Sequence, residues 1–579
     1  MSFKFSRGLL HPDNFPNAYR IYKKYSPRLL NIIFKDLRIR LLRFFNVKSF
    51  PNEDFPLDEY GRVAFYQYPF YRDDKKNKNY IAQFYKERFV TDNVIDLIGY
   101  QGYLAEILEA SCISKNSRIV DISVPSLVPI SITNKRTDRN YGLAEVEIDG
   151  QSIILDGLKQ NSFHYLPVNK KSTLKVTSKQ NLIIGTPIAV KQEKKNKKKL
   201  VVTLFIDGLS SKILNHSTLP NLMPNTNRFF RDGAKFYNCF SASEWTLTSV
   251  ASIFSGLYPF HHGVTNPKGR ITIGKNYKLL SEYFQDCGYL TAQICNNHRK
   301  NPSYGYVKGF DRTLYKCHMG CEQVITNALE HLDAFEDRDN YLWLSFFDLH
   351  HHLDFIPDLS SQKENSLADH SYKRGDISSV FLNYDQKFVN WYVNEIHRLD
   401  RYLNILFNYI SNKYEDKDVL ISLVSDHGQA YLGHQQELLS EQKLMTPMMF
   451  VGGGVESITS NEIIQNVDYM PTILKMAGIE HKDMLDGRVP NVFGGNPARE
   501  YTFSESIYPN RQYQVAIYDE NYMFYLKSKN KLFGGEKINF NNCDYKLTKR
   551  INKEDNTSEQ PELVSKYLDY LSDHFKRIN

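Results

Sequence analysis

KLVVTLFIDGL, residues 199–209, is a continuous run of apolar and β-branched side chains closed by Asp207 and Gly208. A run of this length between a lysine tract and an Asp-Gly turn reads as a strand covered on both faces, the kind that parallel sheets use. Two further runs close in the same way. NYLWLSFFDLHHH (340–352) ends in Asp348 followed by His350, His351 and His352, and DVLISLVSDHG (418–428) ends in Asp426-His427-Gly428, with His434 soon after. Between them lie KLLSEYFQDCGY (278–289) and EQVITNALEHLDAFE (322–336), whose apolar residues recur at helical spacing. Strands alternating with amphipathic helices specify an α/β fold, a mostly parallel central sheet flanked by helices.

In such sheets ligands collect beyond the carboxyl ends of the strands. Asp207, Asp348 and Asp426 all fall there, and carboxylates gathered at one edge repel unless cations lie among them. Carboxylate oxygens and imidazole nitrogens together suit one or two divalent ions, zinc or manganese rather than calcium. The segment SEWTLTSVASIFSGLYPFHHGV (243–264) adds hydroxyls at nearly every third position. A threonine opening a helix at such an edge presents its oxygen beside metal ligands and beside free helix N–H groups, which is how a weak nucleophile is activated. His261 and His262 read as turn residues packed at the end of that helix.

Composition and charge set the outer limits. The chain has 579 residues, 41% hydrophobic and 24% charged, enough for several domains. Its 73 basic and 65 acidic residues leave a net charge of +8, a modest excess that gives no expectation of nucleic-acid binding. Seven scattered cysteines describe no disulfide framework. Cys317 and Cys321 lack the second pair that a zinc knuckle needs. No apolar run approaches the roughly 18 residues of a membrane span, and no signal peptide is legible, so the expected location is cytoplasmic. Residues 1–110 are basic and aromatic and are expected to be mostly helical, packing on their own domain with a solvated basic face or, as the alternative, making peripheral membrane contact through it. Short alternating runs over 111–190 predict a small β-sandwich. KQEKKNKKK (191–199) is a linker, 200–485 the catalytic domain, and 486–579 an α+β subdomain ending in a helix.

The motifs from about residue 200 to 480 resemble, in order, those of the alkaline phosphatase and sulfatase superfamily, in its sulfatase-like branch. FIDGL is similar to the first metal strand, WTLTSVASIFSGLYPFHHGV to the nucleophile helix, GFDR to a later turn, SDHG to the second metal strand, and NVDYMPTILKMAGI to the helix after it. Counting back ten residues from Gly256, the resemblance implies Thr246 as nucleophile. It implies Asp207, Thr246, Asp426 and His427 at one metal site, and Asp348 and His352 at a second, with His350 or His351 as substitutes for His352. His434 is either a further metal ligand or a contact to a substrate oxygen. Sulfatases carry Cys/Ser-x-Pro-x-Arg at the nucleophile, whereas residues 246–250 are TLTSV. That departure favours a phosphoesterase or phosphotransferase acting on a phosphorylated small molecule or cell-envelope glycan. The alternatives are a sulfate-ester hydrolase and a noncatalytic glycan-binding protein. Nothing in the sequence sets the oligomeric state.

Overall fold

The computed structural model describes residues 104–576 apart from breaks, the longest at 134–140, 191–197, 266–272, 351–380 and 532–541, together with the backbone of four strands between 64 and 96. Its centre is a twelve-stranded mixed sheet. The strands that matter for the site are β1 (Leu200–Ile206), β2 (Ala234–Phe240), β3 (Leu290–Cys295), β4 (Arg312–Tyr315), β5 (Asn340–Phe346), β6 (Val419–Val424) and β7 (Met445–Gly452). β4, β3, β5, β1 and β6 lie side by side and parallel, and β7 and β2 continue antiparallel beyond β6. The helices used below are α1 (Thr246–Ser255), α2 (Cys321–Ala334), α3 (Gln386–Lys413), α4 (Tyr469–Met476) and α5 (Pro561–Lys576).

Strand alternation divides the core. Every residue of β1 is buried. Val201 and Phe205 pack with Trp343, Leu420 and Val424 against Val250 and Phe254 of α1 and Ile473 of α4. Val202, Leu204 and Ile206 pack with Leu342, Leu344 and Ile421 against Val324 of α2 and Leu399 and Leu403 of α3. Each face is sealed by helices, so the unbroken apolar run is what this position requires.

Residues 112–189 form the expected sandwich, two antiparallel sheets around a core of Ile130, Ile132, Val146, Leu174 and Val176. Residues 502–549 form a four-stranded antiparallel sheet covered by α5. The amino-terminal region differs from expectation where it is described. Strands at Tyr71–Asp73, Lys78–Phe84 and Ala105–Ala110 extend the central sheet antiparallel beyond β4. The basic helices expected over 17–45 lie outside the described residues. Among the described residues no helix is long and apolar enough to cross a membrane.

Candidate active site

The parallel strands deliver a polar cluster just past their carboxyl ends. β1 runs into Asp207, whose amide still bonds Phe346 O at 3.0 Å, so the ladder fixes its position. β5 is followed by a 3-10 turn, Asp348–His350, that brings His350 back toward β1. His350 Nε2 lies 2.7 Å from Asp207 Oδ1, and its ring stacks on Phe347 at 4.7 Å. Beyond β6, Asp426 Oδ1 accepts the amides of Gly208 at 3.0 Å and His427 at 2.9 Å. Beyond β3, Asn297 Nδ2 donates to Asp207 Oδ2.

Two glycines make this crowding sterically feasible. Gly208 has φ +76°, and a Cβ there would fall 2.2 Å from Gln429 Nε2 and 3.2 Å from His350 Nε2. At Gly428 a Cβ would fall 2.0 Å from the Gln442 carbonyl oxygen. Neither position accommodates a side chain without moving the loops that carry the cluster.

α1 begins at Thr246 after an extended Trp245 and ends on Gly256 in the left-handed conformation at φ +67°. Thr246 Oγ1 is 3.3 Å from Asp207 Oδ2 and 3.1 Å from His427 Nε2. The serine hydroxyls of the helix have structural partners: Ser249 bonds Asp426 O at 2.6 Å, Ser252 meets His262 Nε2 at 3.1 Å, and Ser255 bonds Ala251 O at 2.6 Å, while the buried Thr248 hydroxyl has none. His262 is neutral, since Nδ1 accepts the Val264 amide at 3.0 Å and burial pushes its pKa down to about 3. His261 instead joins Asp486 at 2.6 Å and the His574 carbonyl at 3.1 Å, away from the cluster.

The electrostatics favour a cation. Burial raises the Asp207 carboxyl, but the charges of His350 and His427 and the bonds from His350 and Thr246 outweigh it and hold the group below its ordinary value. Burial, followed by the neighbouring Asp207 charge, pushes Asp426 up to about 6. Its Oδ2 accepts no hydrogen bond and lies 3.4 Å from His427 Nε2. His427 Nδ1 bonds the Gly428 carbonyl at 2.7 Å, which holds a proton on Nδ1 and leaves Nε2 as the ring nitrogen that faces the cluster and can give its lone pair to an ion. Ligand atoms of Asp207, His350 and His427 all lie within 4.8 Å of one another. With the orphaned Asp426 Oδ2 they make an N,O donor set that fits a divalent ion.

Asp207, Thr246, Asp426 and His427 are thus brought together, joined by His350. Asp348 lies elsewhere: its Oδ1 accepts the Cys321 amide at 3.0 Å and pairs with the Arg398 guanidinium of α3. Arg398 also holds Glu322 at 3.0 Å and Glu395 at 2.8 Å, so a side-chain cation already occupies the Cys321–Glu322–Asp348 group. His434 is exposed and packs on Tyr384 with ring centroids 4.0 Å apart. His351 and His352 lie outside the described residues. Asn297 and Gln429, which touches His350 Nε2 at 3.0 Å, were not among the sequence candidates. Their signal was positional, each following a buried strand by a few residues, but a carboxamide there does not announce a ligand.

Residues 199–479 match the sulfatase family model. An ulvan-active sulfatase of Formosa agariphila is 23% identical over 354 residues, 52% of this chain and 56% of the relative. The chain spans about half the length of the curated relatives it matches. Two solved structures share the fold: a 2-O GAG sulfatase, at 13% identity and TM-score 0.50 over 66% of this chain and 92% of its own, and the phosphonate monoester hydrolase of Agrobacterium radiobacter, at 13% identity and TM-score 0.50 over 66% and 96%. Residues 199–479 form a sulfatase-family domain, with the fold of the alkaline phosphatase and sulfatase superfamily.

Proposed function

We propose that this domain is a metal-dependent hydrolase of a phosphate or sulfate ester, with Thr246 Oγ1 as nucleophile. The observation that carries this is the position of Thr246 as the first residue of α1, its hydroxyl between Asp207 Oδ2 and His427 Nε2. Asp207, Asp426, His350 and His427 would hold the ion, which when bound supplies positive charge that favours the ionised hydroxyl and the ester oxygens. Asp207 Oδ2 orients the Thr246 hydroxyl and draws its proton, while the Nε2 lone pair of His427 would go to the ion. The amides opening α1 have no acceptor within the helix and point toward an incoming anion. Ser249, by gripping the Asp426 carbonyl, ties α1 to the loop carrying His427.

Two observations bear on the choice of ester. Thr246 cannot be oxidised to the aldehyde that a cysteine or serine yields, and neither Pro nor Arg follows in 246–250. This supports phosphoryl chemistry, and with it a hydrolase or a transferase. The relatives, sulfatases by name, support sulfate esters. A side-by-side assay of bis-p-nitrophenyl phosphate, p-nitrophenyl phosphate and p-nitrophenyl sulfate, after chelation and after return of zinc or manganese, separates them. The phosphoryl reading expects metal-dependent turnover of a phosphate ester at least tenfold above the sulfate. Preference for the sulfate selects the other ester, and metal-independent silence on all three contradicts the hydrolase.

A further inference from the structure

Lys300 stands outside the carboxylate cluster, the last residue of the 3-10 turn His298–Lys300 that follows β3, and it is fully buried. Its ammonium sits in an aromatic cage, 5.0 Å from the ring centre of Phe254 on α1, 5.0 Å from that of Trp343 on β5 and 5.4 Å from that of Tyr306. Nζ donates to Gln293 Oε1 of β3 at 2.7 Å. Gln293 is itself fixed, since its Nε2 donates to the Tyr306 carbonyl at 2.5 Å and to Thr313 Oγ1 at 3.0 Å. Cys295 Sγ lies 4.0 Å from Nζ and donates to the Lys300 carbonyl at 3.3 Å. No carboxylate pairs with the ammonium among the described residues, and burial pushes its pKa down from 10.5 to about 8.

A buried ammonium with one good acceptor costs stability, of which the aromatic faces recover a part. Methionine would fill the same cage with no charge to bury. What the lysine adds is a hook: Nζ ties the end of the turn back to β3, and the Lys300 amide donates to the Asn297 carbonyl at 3.2 Å. Within the turn the Arg299 amide donates to Asn297 Oδ1 at 2.7 Å, which fixes the carboxamide with Nδ2 toward Asp207 Oδ2, to which it donates. That oxygen is the one 3.3 Å from the Thr246 hydroxyl. We propose that Lys300 is a positioning residue, which holds the Asn297 carboxamide against Asp207 and so orients that carboxylate toward the ion and the Thr246 hydroxyl. What Asp207 does there rests on the hydrolase reading.

The test is a double-mutant cycle in the full chain: wild type, Lys300→Met, Asn297→Ala and the double variant. It is read by zinc titration of chelator-stripped protein and by turnover of the better p-nitrophenyl ester. Each single variant is expected to bind zinc about tenfold or more weakly than wild type, the usual loss when a ligand loses its outer partner. The double variant should bind no more than about twofold more weakly than Asn297→Ala, because both substitutions act through one contact. Turnover should follow the same pattern. Stripped Lys300→Met should nevertheless melt above stripped wild type at pH 7. The folded pKa lies below the unfolded one, so the cost of the ammonium is whole below pH 8 and the melting gap should narrow as pH rises beyond it. Unchanged zinc affinity in Lys300→Met, or losses that multiply in the double variant, overturns the proposal. So does a stripped Lys300→Met that melts below wild type, which would make the lysine a packing element. Failure of the hydrolase reading shows separately, as absence of turnover in wild type while the zinc cycle stays non-additive.

Discussion

Asp426→Asn separates the burden of the carboxylate cluster from its use. In the metal-free protein the Asp426 carboxyl is raised from 3.8 to about 6 by burial and by Asp207. Two pKa units correspond to about 2–3 kcal/mol of stability forfeited at neutral pH, where the group is ionised in both folded and unfolded chains. Because the folded value is the higher one, the penalty is absent below the unfolded value of 3.8, grows as pH rises, and is complete above about 6. Asparagine keeps the oxygen that accepts the Gly208 and His427 amides, and its Nδ2 can donate to the His427 Nε2 lone pair. Chelator-stripped Asp426→Asn should therefore melt above stripped wild type at pH 7, by roughly 5–10 °C for a domain of this size. The gap should close as pH falls from 6 toward 4. Zinc or manganese should then raise the wild-type midpoint more than the variant's, because an ion bound only by the folded state stabilises by mass action. Scanning fluorimetry across pH, with and without metal, measures all three. A stripped variant less stable than stripped wild type at pH 7, or an equal metal-induced shift in both, would refute the reasoning.

Two other outcomes follow from contacts near the site. Burial opposes protonation of His261, but the bond and charge of Asp486 outweigh it and raise the imidazole above 6.5; the same contact lowers Asp486 below 3.8. The pair's contribution is thus whole between about pH 4 and 6.5, lost above as His261 deprotonates and lost below as Asp486 protonates, so the melting difference between wild type and Asp486→Asn should peak in that window; a difference flat from pH 5 to 9 would contradict it. Gly208→Ala forces a left-handed backbone on alanine, costing about 1–2 kcal/mol, and drives its Cβ into Gln429 and His350. Zinc titration should show at least tenfold weaker binding, and unchanged affinity would contradict the placement of His350 in the ligand set.

The parts of the site that follow directly from strands were legible from the sequence. Asp207 continues the β1 ladder and Asp426 stands two residues past β6, so a buried run ending in an acid locates them. Thr246 was reached by counting along a resemblance, and the structure places its hydroxyl beside Asp207. What lay beyond reach depends on how loops turn and on partners distant in sequence. A 3-10 turn swings His350 over Asp207, while Asp348 pairs with Arg398, fifty residues further along on α3. No spacing rule discloses that a helix will supply the counter-charge to a strand-end acid. The strands at 78–84 and 105–110 were missed for a similar reason, since each is short and gains its identity from pairing at the sheet edge.

The central claim, that Thr246 Oγ1 attacks the ester, is tested most directly by acid-quenching the metal-loaded wild-type chain during turnover of the best p-nitrophenyl ester and mapping the modified peptide by mass spectrometry. The account predicts a phosphoryl or sulfuryl group on Thr246, absent from the Thr246→Ala protein, which should also lose turnover by at least 10³-fold. The group found on any other residue, or a Thr246→Ala chain turning over at the wild-type rate, would contradict it.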